Sequence, residues 1–193
     1  MRKLDSLVVV DCEATCWRDD SLPKHMLPGR EKSEIIEVGV CLLDLQTLEI
    51  GDSRSIFVKP VEEPILSDFC RELTGITQEQ VDSGVDFAEA CRILRKEYDT
   101  KNRSWASYGA YDANIFQREC SRKNVSYPFG KFHINVKADV EVILDKTVSM
   151  DEALKEFGLT LEGRHHSGKD DAWNIAKIYR LIIERNRKFL KTV

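Results

Sequence analysis

The sequence is poor in features that would tie it to a membrane, a metal-staple framework or a polyanion. It has no membrane-length apolar run: stretches such as Leu7–Val10 fall far short of the ~20 residues a bilayer span requires. Met1-Arg2-Lys3-Leu4-Asp5 carries no apolar signal region ahead of the first strand-like run, which predicts a cytoplasmic protein with no membrane partner. The six cysteines (Cys12, Cys16, Cys41, Cys70, Cys91, Cys120) contain no Cys-x-x-Cys pair. Reduced, mostly buried thiols are therefore expected in place of a zinc site or a disulfide framework. There is no internal repeat and no low-complexity tract. Nor is there an excess of positive charge, since 29 Lys and Arg against 33 Asp and Glu leave a net charge of −4. Bulk charge does not hold such a chain to nucleic acid; a polyanion would need a local basic patch or metal ions to offset the repulsion.

What is present suffices for one ordinary domain with a sizeable core: 193 residues, 42% hydrophobic and 32% charged. Leu7-Val8-Val9-Val10 is apolar on both faces, as a central strand is. Trp17–Ser33 reads as a long polar loop, either over a site or on the surface. Ile36, Val38, Val40 and Leu42 alternate, and Ile56 and Val58 repeat the pattern before Pro60, predicting an antiparallel meander of three strands. Thr77-Gln78-Glu79-Gln80 reads as a capping box. Asp86 reads as the N-cap of a helix with Phe87, Ala90, Cys91, Leu94 and Tyr98 on one face. Ser104–Ser107 predicts a strand, Ile115, Phe116 and Cys120 a helix, and Phe132–Val136 another strand. A second capping box at Ser149–Glu152 opens a helix ending at Gly158. Ala172 to Ile183 form the last helix, whose basic end suits the negative pole of its dipole. The expected order is β-β-β-α-β-α-β-α, a mixed sheet with helices packed on it.

The informative residues lie where these elements stop. Asp11 and Glu13 form Asp-x-Glu after the first strand, and on an extended chain they share a face about 7 Å apart. Two acids held so repel unless a cation lies between them, and oxygen ligands suit Mg²⁺ or Mn²⁺ better than zinc. Taken alone, the pair is better read as an exposed turn with two solvated acids. Asp112 falls in the first turn of a helix, where the dipole favours a carboxylate; alone, it is better read as a plain N-terminal acid. In Gly163-Arg164-His165-His166-Ser167-Gly168-Lys169-Asp170-Asp171 the Gly-flanked loop can fold His166 back beside Asp171 at the start of the last helix. One of the two adjacent acids can cap that helix while the other does chemistry. Together, four acids and a histidine have one economical use: carboxylates hold two divalent ions around a scissile phosphate, and the histidine takes a proton from water near neutral pH.

The order Asp11-x-Glu13, Asp112, His166-x-x-x-x-Asp171 resembles the DEDDh 3′→5′ exonucleases, over about Leu7 to Ile183. Within them, Asp11-Cys12-Glu13-Ala14-Thr15-Cys16, Leu73-Thr74-Gly75-Ile76, Tyr108-Gly109-Ala110-Tyr111-Asp112 and His165–Asp171 are similar to the Eri-type enzymes, which include the 3′ histone-mRNA exonuclease and related bacterial sporulation-inhibitor proteins. The resemblance implies an α/β, ribonuclease H-like fold: a five-stranded mixed sheet, its first three strands antiparallel, forming a single exonuclease domain over residues 1–193. It implies two Mg²⁺ or Mn²⁺ ions on Asp11, Glu13, Asp112 and Asp171, with His166 as general base. Ala14 and Thr15 would lie near the terminal 3′-hydroxyl, and Leu73, Thr74 and Ile76 against the last base or sugar. Such enzymes release nucleoside 5′-monophosphates from single-stranded 3′ ends. The extra domain by which some relatives read an RNA stem-loop finds no residues here, so that specificity does not carry over.

RNA is the expected substrate, with DNA or very short oligoribonucleotides as alternatives, because the residues that would read a 2′-hydroxyl are not visible in the sequence. A regulatory protein on a nuclease scaffold is a further alternative, disfavoured by the presence of all four acids and the histidine. A homodimer is compatible with the resemblance. Arg118, Arg122, Lys123, Lys131 and Lys137 are candidates to guide phosphates, or else a solvated face. Phe129 and Phe132 are candidates to stack on bases, with core packing the alternative.

Overall fold

In the computed structural model, residues 3–18, 33–51 and 53–192 are described. Most of the expected Trp17–Ser33 loop lies outside them. Three strands come first: β1 (Ser6–Ala14), β2 (Ile35–Asp44) and β3 (Arg54–Phe57). Three helices follow, α1 (Asp68–Thr74), α2 (Gln78–Asp82) and α3 (Phe87–Glu97). The chain continues through β4 (Trp105–Ser107), α4 (Tyr111–Lys123), β5 (His133–Asn135), α5 (Val136–Leu144), α6 (Met150–Glu156) and α7 (Gly168–Thr192).

The five strands form one sheet in the order β3-β2-β1-β4-β5. β1 pairs antiparallel with β2, and β2 with β3, while β4 runs parallel to both β1 and β5. This is the ribonuclease H-like mixed sheet, with the expected meander and with Leu7–Val10 in its central strand. Side chains alternate across a strand, so β1 feeds two cores. Val8, Val10 and Cys12 pack with Phe87, Leu94, Ile115 and Phe116 of α3 and α4 on one face. Leu7 and Val9 pack with Val140 of α5, Leu154 of α6 and Ile175 of α7 on the other. The acids of β1 continue the second row: Leu7, Val9, Asp11 and Glu13 share the face that α7 covers.

Local signals hold where a cap is present. Thr77 and Ser149 both close capping boxes, and the Asp86 side chain accepts the Glu89 N–H at 2.7 Å. All six cysteines are free, five of them buried. Three details differ from the expected order of elements. β1 runs on to Ala14, so Asp11 and Glu13 lie within the strand, opposite Gly39 and Glu37, and do not follow it; a bulge at Glu13/Ala14 ends the regular pairing. Leu73 and Thr74 belong to a short helix capped by Ser67 and by Gly75 in the left-handed conformation (φ 73°). The strand expected over Phe132–Val136 shrinks to His133–Asn135, because the Asn135 side chain accepts the Ala138 N–H and starts α5 at Val136.

Candidate active site

The sheet brings the five singled-out residues to one end. Asp11 and Glu13 point from β1 toward the first turn of α7, and Asp171 meets them there. Each of these three offers a carboxylate oxygen, all within 4.8 Å of one another. Asp112, in the first turn of α4, accepts the N–H of Cys12 at 2.9 Å and so sits against the backbone between the β1 acids. His166 joins from the loop before α7: its ring, the His165 ring and the Asp171 carboxylate also offer atoms within 4.8 Å of one another. The His166 N–H donates to Asp171 Oδ2 at 2.9 Å. Asp11, Glu13, Asp171 and the two histidines border a cavity of about 340 Å³ that Tyr108, Lys137, Ser149 and Met150 also line, while Asp112 lies behind it against Cys12. Tyr108 is braced there by its hydroxyl, which donates to the carbonyls of Val148 and Ser149 at 3.1 Å.

The electrostatics are those of several acidic groups packed close together and buried. Burial, then the charges of Asp112, Glu13, Asp171 and Glu37, push the Asp11 carboxyl well above the usual carboxylate range. Burial, then Asp171 and Glu37, push Glu13 up to about 8. Burial raises Asp112 and Asp171 as well, partly offset by the Cys12 N–H for the former and the His166 N–H for the latter. Among the described residues none of the four acids forms a salt bridge, and Asp171 Oδ1 is buried with no hydrogen-bond partner. A buried carboxylate oxygen left unpaired costs several kcal/mol unless a cation or proton meets it. An all-oxygen cluster with an orphaned lone pair is the donor set a hard divalent cation takes, so these residues fit a metal of that class. Burial, then the charges of His165 and Arg164, lower the His166 pKa below its usual value, which keeps the ring neutral and able to accept a proton at pH 7.

The residues expected to touch substrate separate. Ala14 and Thr15 are buried, and the Thr15 hydroxyl accepts the Glu34 N–H at 2.9 Å, a structural duty in this conformation. Thr74 and Ile76 are buried too, and they line a second cavity of about 340 Å³ with Glu37 and Arg164, on the other side of the histidine loop. Leu73 is partly exposed at the end of α1. The basic cluster also divides. Lys123 is bound to Glu34 at 2.9 Å and Glu119 at 3.0 Å, Arg122 to Glu119 and to Glu62 at 3.3 Å, and Arg118 to the Ser33 carbonyl. Of the five, only Lys137 lines the acid cavity. Phe129 stacks on Trp105 at 4.1 Å inside the core, so it is no base platform; Phe132 is exposed.

Sequence reasoning missed Glu37. This buried strand acid accepts the N–H groups of Gly168 (3.0 Å) and Lys169 (3.3 Å) and the Ser55 hydroxyl. It supplies the cap of α7 that Asp170 or Asp171 was expected to give; those two accept amides of the histidine loop instead. The available signal was an acid in the otherwise apolar run Ile35-Ile36-Glu37-Val38, where a buried carboxylate needs donors. The close approach is made by two glycines: a Cβ at Gly39 would fall on the backbone of Gly168.

The exonuclease family model matches residues 8–179. Human ERI1 exoribonuclease 2 is 34% identical over 89% of this chain and 27% of its own length. Human 3′-5′ exoribonuclease 1 is 34% identical over 90% of the chain and 51% of its own. The chain thus spans about a quarter to a half of those two relatives; of the Drosophila melanogaster 3′-5′ exonuclease Snipper, 32% identical, it spans 69%. Among solved structures, the nuclease domain of 3′hExo, a DEDDh family member bound to rAMP, superposes with a TM-score of 0.81 at 31% identity, covering 94% of this chain and 92% of that one.

Proposed function

As this chain belongs to the exonuclease family, in its DEDDh, Eri-type branch, we propose that it hydrolyses single-stranded nucleic acid, RNA in the first place, from the 3′ end and releases nucleoside 5′-monophosphates. The observation that carries the reading is the meeting of Asp11, Glu13 and Asp171 within 4.8 Å, beside a neutral-poised His166. Divalent metal is implied by the family, and the donor set suits two Mg²⁺ or Mn²⁺ ions held by Asp11, Glu13, Asp112 and Asp171. When bound, they supply positive charge that acidifies water and stabilises the leaving oxygen.

The chain's own residues do the rest. The carboxylates on β1, α4 and α7 fix the site from three elements of a rigid scaffold. His166 accepts the proton of the attacking water through a ring nitrogen, its backbone tied to Asp171 so that base and acid keep their relative position. Lys137, across the cavity, faces the strand's phosphates. Support for RNA comes from the relatives named exoribonucleases and from a 3′-exonuclease of 30% identity whose complex concerns 3′-end recognition of a histone mRNA stem-loop. Recognition of that stem-loop is not part of the proposal.

A time course on 5′-labelled RNA tests it. With Mg²⁺ or Mn²⁺ a ladder shortening one nucleotide at a time from the 3′ end is expected, with none when the end carries a 3′-phosphate or when EDTA is present. Internal cuts alone, or full activity in EDTA, would contradict it. Matched DNA oligomers and RNAs of several lengths in parallel decide between RNA, DNA and short-oligomer preference.

A further inference from the structure

The histidine loop is held by more than its own helix. His166 adopts a left-handed backbone conformation, φ 63°, which a non-glycine residue keeps only where its surroundings over-determine it. One of those surroundings is Arg164. Its guanidinium crosses to the C-terminal end of α1 and donates to the carbonyls of Glu72 (2.6 Å) and Leu73 (3.2 Å). A helix end leaves such carbonyls without intrahelical partners, and a cation there also meets the negative pole of the dipole. The Arg164 backbone N–H donates to Asp170 Oδ2 at 2.9 Å, so the same residue ties the loop to α7. Two glycines make the room. A Cβ on Gly75 would fall on the Arg164 guanidinium, and one on Gly163 would fall on the Asp170 carboxylate; both glycines have positive φ, 73° and 75°. Along the loop the side chains part: His165 and His166 border the acid cavity, Arg164 and Ser167 the cavity beside Thr74 and Ile76.

We propose that Arg164 is a positioning residue for the hydrolytic step: a latch that fastens the loop to α1 and thereby holds His166 over the carboxylate cluster. The proposal rests on the reading of His166 as the general base. It also ties the base to the Leu73–Ile76 segment, so that displacing either end of the latch displaces the other. Arg164 touches no reacting atom, and its loss acts through the place of the His166 ring.

The test pairs kinetics with a signal from the histidines. In Arg164→Ala, kcat on single-stranded RNA should fall about 10- to 100-fold, the scale of a misplacement near 1 Å, with KM within about threefold. Added guanidinium ion should restore part of the loss. Arg164→Lys, which keeps a cation beside the same carbonyls, should recover more activity than alanine. Gly75→Ala, which retains the arginine but fills its seat, should reproduce the defect, and it serves if the alanine variant does not fold.

The sequence has only four histidines, so their ring proton signals can be followed by NMR in the metal-free protein. The His165 and His166 rings stack at 4.1 Å; their signals should move in Arg164→Ala and Gly75→Ala, while those of His133, half-buried against Trp105 on the edge strand β5, stay. An unchanged kcat, or unmoved His165 and His166 signals, overturns the latch. Were the wild-type chain to degrade no RNA, the functional reading would fall, and the histidine signals alone would decide whether Arg164 positions the loop.

Discussion

Replacing Glu13 by Gln should stabilise the metal-free protein while abolishing its activity. The Glu13 carboxyl is pushed up to about 8 in the fold by burial and by the charges of Asp171 and Glu37, against an ordinary value of about 4.3 in an unfolded chain. A group whose folded pKa is raised favours the fold fully only below its unfolded pKa, and that contribution is lost as the pH climbs through the folded one. Between pH 4.5 and 8 the metal-free protein should therefore lose stability. By linkage the cost from this one acid reaches about 3 kcal/mol at pH 7, an upper figure because neighbouring acids share protons. Glutamine keeps the shape and cannot ionise. In EDTA its melting temperature should match wild type near pH 4.5 and exceed it by up to about 6–12 °C at pH 7, from 2–4 °C per kcal/mol for a chain of this size. Saturating Mn²⁺ should reverse the order, since two ions, each at about a hundred times its Kd, add about 5 kcal/mol to a protein that binds both, more than the cost of the one acid, and the variant has lost a ligand. Melts by circular dichroism from pH 4.5 to 8, with and without Mn²⁺, make the measurement. A variant that melts below wild type at pH 7 in EDTA, or a gap that does not change with pH, would refute the argument.

Other outcomes follow from the same geometry. His166→Ala should lower kcat by about 10²–10⁴ while leaving the Mn²⁺-induced rise in melting temperature, because the four acids remain; loss of that rise would make the histidine a ligand, not a base. Gly39→Ala should cost about 3 kcal/mol in urea unfolding, the upper end for overpacking, since the new methyl meets the Gly168 backbone; an effect under about 0.5 kcal/mol would deny the close approach. Phe129→Ala should cost about 3–5 kcal/mol with unchanged KM for RNA, because the ring packs on Trp105 and Phe116; a raised KM at native stability would return it to the substrate surface.

What the sequence revealed is what is written locally. The central strand shows as an unbroken apolar run, and Thr77, Asp86 and Ser149 announce their helices through side chains that reach three residues along. The acids and His166 were legible through order and spacing. What depends on distant partners was not. Glu37 caps a helix 131 positions away, a pairing visible only once β2 lies beside α7. α5 escaped notice because Val142 and Ile143 are exposed and blur the i, i+4 pattern of Val136 and Val140. That Thr74 and Ile76 line a second cavity with Glu37 and Arg164 likewise shows only once α1 lies beside β2 and the histidine loop. Lys137 stood among other cations in sequence, and only the fold separates it from Arg118, Arg122 and Lys123, which are bound to Ser33, Glu62, Glu119 and Glu34.

The central claim is that Asp11, Glu13, Asp112 and Asp171 converge to hold divalent ions where a 3′ end is cut. Anomalous scattering from crystals grown with Mn²⁺ tests it most directly. The account predicts two manganese peaks among these four carboxylates, both missing in Asp11→Asn. No peak there, or a single ion held by His165 and His166 without the β1 acids, would contradict it.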